Sequence, residues 1–144
     1  MDTVLIIVIG VVAIVVIALL AFTPKIRGRM AAAVGFVKEQ IGGNDKVRLI
    51  DDKATGFGAE PALPGPEMRG PGCLGLGPDA LVFALTPEKS LRIELADIIR
   101  VSSTTDEGDL GKGMLKVVHT VEGRETTSSF RLMAATEWVA ALTP

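Results

Sequence analysis

The chain has 144 residues, a formal net charge of −2, and 48% hydrophobic residues. An acidic balance of this kind does not suit a nucleic-acid partner, so none is expected. A single cysteine, Cys73, excludes an internal disulfide and agrees with a reducing compartment.

Residues 4–22 form the most distinctive stretch of the chain, because they contain no charge, amide or hydroxyl. Fifteen of these nineteen residues are Val, Ile, Leu or Phe. As a helix the stretch is about 28 Å long, close to the hydrocarbon thickness of about 30 Å. The apolar side chains favour insertion by about −4 to −9 kcal/mol. We therefore predict a single transmembrane helix over residues 1–23.

The orientation of this helix follows from the basic residues beside it. No Lys or Arg precedes it, whereas Lys25, Arg27 and Arg29 follow it directly. The positive-inside rule then places the N-terminus outside and the C-terminal part in the cytoplasm, at the plasma membrane. The alternative is a cleaved secretory signal, but the basic n-region and the short apolar run of such a signal are absent. These three basic residues are the predicted membrane-proximal site.

Residues 24–46 are predicted to be a juxtamembrane segment that is partly helical. Pro24 is expected to end or reset the first helix, and residues 30–41 show loosely helical apolar spacing. Gly42, Gly43 and Asn44 then stop the helix.

Residues 47–144 have the composition of one small domain with a mostly aliphatic core and a net charge of −4. Residues 47–57 are either a first strand or a linker, and a Pro/Gly-rich loop is predicted at 59–72. Alternating apolar residues then predict several antiparallel strands, with a polar loop at 102–113 between two of them. Trp138 and Leu142 lie at helical spacing and predict a short final helix.

The segment from Cys73 to Leu142 resembles bacterial pleckstrin-homology-like domains, including the GRAM type. The similarity lies in the sequences CLGLGPDALVF, LRIELADIIRV, MLKVVHTVEGRETTSSFRL and AATEWVAAL. It implies a bent antiparallel barrel of about seven strands, mainly β, capped by the C-terminal helix. Trp138 and Leu142 would then plug the barrel above Leu81, Phe83, Ile93, Leu95, Val117 and Phe130. The first strands would come from residues 47–76.

The chemistry expected of an enzyme is not found in this sequence. His119 is the one histidine, so neither a zinc site nor a Ser-His-Asp relay is predicted, and it is expected to be a hydrogen-bonded strand residue. The carboxylates Asp51 and Asp52, and those at 106–109, are expected to be solvated. No catalytic, metal or cofactor site is predicted. Specific phosphoinositide binding is not expected either, because the first hairpin region carries four acids, Asp51, Asp52, Glu60 and Glu67, against two bases, Lys53 and Arg69.

Two functions remain open from the sequence. The first is a non-enzymatic, membrane-anchored interaction module that recruits or scaffolds a protein partner at the cytoplasmic membrane face. The second is an accessory subunit of a larger membrane complex, packed through its transmembrane helix. Small residues such as Gly10, Ala13 and Ala21 on one helix side would permit such packing.

Overall fold

In a computed structural model the chain is described over residues 3–105 and 112–143, without the side chains at 19–27 and 105. Two α-helices flank seven strands in chain order. They are α1 (Thr3–Ile41), β1 (Leu49–Glu60), β2 (Arg69–Leu76), β3 (Ala80–Thr86), β4 (Lys89–Glu94), β5 (Ile98–Thr105), β6 (Lys112–Val121), β7 (Arg124–Met133) and α2 (Ala135–Leu142).

The seven strands form one antiparallel sheet in the order β4-β3-β2-β1-β7-β6-β5. Strand β1 lies at its centre and is irregular on both sides. Its pairing with β2 shifts register between Asp51 and Ala54, and its pairing with β7 shifts between Gly56 and Ala59. Such bulges bend a strand and increase its twist. The sheet therefore curls into a half-barrel.

The concave side of the half-barrel holds the main core. The rings of Phe83 and Phe130 meet there at 5.1 Å between centroids, and Trp138 of α2 is buried above them. Leu142 is partly buried against the same cluster. The predicted core residues and the capping helix are thus confirmed. The architecture, mainly β with a C-terminal helix, is compatible with the pleckstrin-homology-like fold that the sequence resembles.

Several predicted boundaries were wrong, and glycine explains the largest error. The loop placed at 59–72 is confined to residues 61–68, because β2 already begins at Arg69. A side chain at Gly72 would overlap the carbonyl oxygen of Ala84, so glycine here permits close strand packing. Residues 47–57, left open as strand or linker, belong largely to β1. Strand β5 extends to Thr105 and β6 begins at Lys112, while the rest of the predicted loop at 102–113 lies outside the described residues.

Helix α1 continues through Pro24, where we expected it to end or reset. A proline removes one backbone hydrogen bond from a helix, and the many turns on either side keep this helix continuous. Within the part of the chain that the structure describes, no helix has an apolar run long enough to cross a membrane. A helix is present where residues 1–23 predicted one, although it extends to Ile41, and its membrane crossing stays a prediction.

The last third of α1 packs against the convex side of the sheet, which the sequence did not lead us to expect. Ala33 and Val37 are fully buried there against β2 and β3. Ile41 lies where a side chain at Gly77 would otherwise sit, and Val37 takes the corresponding space at Gly75. The guanidinium of Arg92 also donates a hydrogen bond to the carbonyl of Gln40 at 2.8 Å. This end of α1 is thus part of the folded domain.

We expect Gly75→Ala to destabilise the protein by about 1–3 kcal/mol, because the new methyl group would overlap Val37 in a filled interface. Gly35→Ala is the matched control on α1, since nothing lies within 4 Å of that position. The control should be neutral or stabilising by up to about 1 kcal/mol, because alanine favours helix. Denaturant unfolding of the full chain in detergent, followed by Trp138 fluorescence, measures both. Equal effects of the two substitutions would contradict the packing.

Candidate functional site

The N-terminal part of α1 exposes a long apolar surface. The large apolar side chains from Val4 to Ile17 are 44–70% exposed, and no other described element covers them. Contiguous apolar surface of this size is uncommon on monomeric soluble proteins and marks contact with a membrane or a partner. This surface is therefore the main candidate for an attachment site.

The predicted basic residues follow this apolar surface along α1. Arg29 is exposed, one turn before Ala33 enters the interface with the sheet. The side chains of Lys25 and Arg27 lie outside the described residues. Of the predicted membrane-proximal site, the structure therefore describes Arg29 alone.

A groove of about 480 Å³ opens beside Arg29, between α1 and the adjacent ends of β2 and β3. Its floor is mostly apolar and includes Met30, Ala33 and Leu85. Three cationic residues, Arg29, Arg69 and Lys89, and one carboxylate, Asp52, also line it. Sequence reasoning missed this groove, because Arg69 and Lys89 are far from Arg29 in the chain and meet it only through the packing of α1. We call it the junction groove.

Cys73 also lies at this junction, and its environment makes the thiol unreactive. The side chain is 1% exposed. Burial raises the pKa of the Cys73 thiol to about 12, and the nearby charges of Asp52 and Asp51 act in the same direction. A thiol that stays protonated and shielded is a poor nucleophile. The cysteine is therefore a packing residue here.

His119 forms a buried pair with Ser128 on the concave side of the sheet. The Nε2 atom of His119 lies 2.8 Å from the Oγ of Ser128, and both side chains are 1% exposed. Burial lowers the pKa of His119, and the charge of Asp97 partly opposes this. The prediction of a hydrogen-bonded strand histidine is confirmed. The pair satisfies two polar groups in the core, as buried polar groups require.

A second cavity, of about 170 Å³, lies beneath the loop of residues 61–68. Its apolar lining includes Leu63, Met68, Leu91 and Phe130, and Ser128 also lines it. A cavity of about this size accommodates a benzene-sized apolar group. Its one ionisable lining residue is Glu67, so it offers little acid-base chemistry.

The carboxylates singled out in the sequence take different places. The two oxygens of Asp51 accept backbone N–H bonds from Lys53 at 2.8 Å and from Met133 at 3.0 Å. Asp51 thus joins the first bulge of β1 to the end of β7. Our expectation that this carboxylate is simply solvated was wrong. Asp52 is exposed at the rim of the junction groove, and residues 106–109 lie outside the described residues. Across residues 3–105 and 112–143, no group of His, Cys, Asp or Glu is arranged to hold a metal ion.

Comparison with known proteins adds no family to this picture. No protein-family model matches the chain, and no curated protein matches it either.

We expect the protein to lose stability as the pH falls below about 6.5, the ordinary pKa of histidine. Because the pKa of His119 is lower in the folded state, only the unfolded chain takes up this proton just below that pH, which favours unfolding. His119→Gln keeps a polar partner for Ser128 and removes the titration. The free energy of unfolding, measured from pH 7 to 5.5, should therefore fall more for the wild type than for the variant. Parallel pH profiles would contradict a buried, neutral histidine.

Proposed function

We propose that the chain is a single-pass, membrane-anchored interaction module, non-enzymatic, which holds its curled sheet at the cytoplasmic face of the plasma membrane and binds a protein partner there. The observation that carries this proposal is that the two ends of α1 differ in their surroundings. One helix exposes apolar side chains from Val4 to Ile17 and buries Ala33 and Val37 in the sheet domain.

The membrane anchor is supported by the sequence and by exposure together. The described part of α1 is by itself too short an apolar run for a crossing, so the proposal depends on the full nineteen residues of 4–22. Their combined hydrophobicity is sufficient for insertion. Such residues would otherwise face water, since no described element covers those from Val4 to Ile17. The asymmetry of basic residues supports a cytoplasmic domain.

A binding role is supported by the surfaces that the sheet leaves open. Strands β4 and β5 are the two ends of the sheet order, so each has one edge without a neighbouring strand in that sheet. Such edges can accept an extended peptide through backbone hydrogen bonds. Tethering two proteins at one membrane raises their effective concentration toward the millimolar range, so weak contacts suffice. A chain of this design needs no catalytic group.

We expect the full chain to resist extraction from membranes by alkaline carbonate and to have one topology. Cys73→Ala supplies a background without thiols, into which Thr3→Cys or Ser102→Cys is introduced; both positions are exposed. A membrane-impermeant maleimide should label the cysteine at position 3 in intact cells, and the one at position 102 only after lysis. Labelling at position 102 in intact cells, or extraction by carbonate, would contradict the proposal.

The partner is expected to bind the sheet domain and not the anchor. Crosslinking in intact cells, followed by identification of partners, should retrieve the same protein with the natural chain and with a chain whose residues 1–22 are replaced by an unrelated spanning helix. Loss of the partner on this exchange would favour the alternative, an accessory subunit that packs through its transmembrane helix. A chain that lacks residues 1–22 tests how much the tether contributes.

A further inference from the structure

We propose that the junction groove binds the headgroup of one anionic phospholipid of the cytoplasmic leaflet, with the phosphate at Arg29 and Lys89 and the carbon atoms of the headgroup alcohol on the apolar floor. This inference rests on the proposed membrane anchor and adds a ligand to it. The groove lies on the convex side of the sheet, outside the half-barrel, and it exists only because α1 packs there.

The position of the groove along α1 suits a lipid headgroup. Arg29 is seven residues beyond Phe22, the last residue of the apolar run, which is about 10 Å along a helix. The headgroup layer adds about 5–8 Å to each side of the hydrocarbon core. A long arginine side chain covers the remaining distance by extending toward the interface. The rim of the groove therefore lies at headgroup level when residues 4–22 span the membrane.

The lining of the groove matches an amphiphile with a negative head. Met30, Ala33 and Leu85 supply apolar floor, and three of the four charged lining residues are cationic. Arginine binds a phosphate through two parallel N–H groups, and the excess of cations in the lining disfavours a headgroup whose phosphate is accompanied by a quaternary ammonium. A free anion would use the cations and leave the apolar floor empty, whereas a lipid covers both.

The charges around the groove leave its cations available. Within the described part of the chain neither Arg29 nor Lys89 forms a salt bridge. The Arg69 guanidinium is paired with Glu67, but both side chains are more than half exposed. Such a surface pair contributes little free energy, so Arg69 can turn toward a phosphate. Asp52 is the one carboxylate in the lining, and it favours a headgroup with a hydroxyl or an amine beside the phosphate.

The backbone of the groove is ordered before any ligand binds. At the β3–β4 turn, the hydroxyl of Thr86 accepts the backbone N–H of Lys89 at 3.1 Å, which fixes the start of β4. On the other side, the helix is held by Ala33 and Val37 in the sheet interface. With the backbone ordered in this way, only the cationic side chains remain to be fixed on binding, which lowers the entropic cost.

Native mass spectrometry of the full chain in detergent tests this inference with dioctanoyl phosphatidylglycerol, dioctanoyl phosphatidylcholine and inorganic phosphate as probes. We expect one phosphatidylglycerol per chain, retained about tenfold more tightly than phosphatidylcholine. The double variant Arg29→Gln/Lys89→Gln should weaken retention of phosphatidylglycerol about tenfold or more, because it removes both cations that hold the phosphate. Lys46→Gln/Lys116→Gln is the matched control, because it removes the same charge away from the groove.

Three outcomes would overturn the inference. They are equal retention of the two lipids, equal effects of the two double variants, and displacement of the lipid by inorganic phosphate at equal concentration, which would mean that the site binds a free anion. Carbonate extraction of the Arg29→Gln/Lys89→Gln variant separates this inference from the proposed function. A variant that stays in the membrane but no longer retains the lipid supports both. Extraction of the wild-type chain by carbonate would overturn the proposed anchor, whether or not the chain retains the lipid in detergent.

Discussion

The packing of α1 against two glycines, one in β2 and one directly after it, is the contact on which the rest of the structure depends. Val37 and Ile41 fill space that exists because Gly75 and Gly77 carry no side chain. Burying a side chain of this size contributes about 1.5–3 kcal/mol, and the hydrogen bond from Arg92 to the last turn of α1 adds to it. The helix cannot leave the sheet without exposing this surface. Its direction is therefore set by the domain.

This contact fixes the orientation of the sheet relative to the apolar N-terminal part of α1. A flexible linker would leave the domain free to rotate under a membrane, whereas a helix continuous from Thr3 to Ile41 transmits one orientation. It also creates the junction groove, because α1 leaves the sheet near Ala33 and opens a space beside Arg29. The proposed anchor, the orientation of the domain and the proposed lipid site all depend on the same helix. The free strand edges of the half-barrel lie on β4 and β5, at the two ends of the sheet.

The sequence predicted those parts of the fold that depend on local pattern. Alternation placed the strands from Ala80 onward, and helical spacing identified Trp138 as the residue that caps the core. It failed where a tertiary contact decided the outcome. Gly72 and its neighbours read as a loop, because glycine signals breaks in a chain and does not reveal that two strands need to approach closely. The junction groove was missed for a similar reason, since Arg69 and Lys89 meet Arg29 only after the sheet has formed.

A distance measurement across the junction tests the central claim most directly. Spin labels at Val12→Cys and Ser102→Cys, in the Cys73→Ala background, place one probe on the exposed part of α1 and one on β5. Pulsed dipolar spectroscopy of the full chain in lipid nanodiscs should give a single narrow distance distribution, because one helix carries the first probe and packs into the domain that carries the second. A broad distribution, typical of a domain on a flexible tether, would contradict the account.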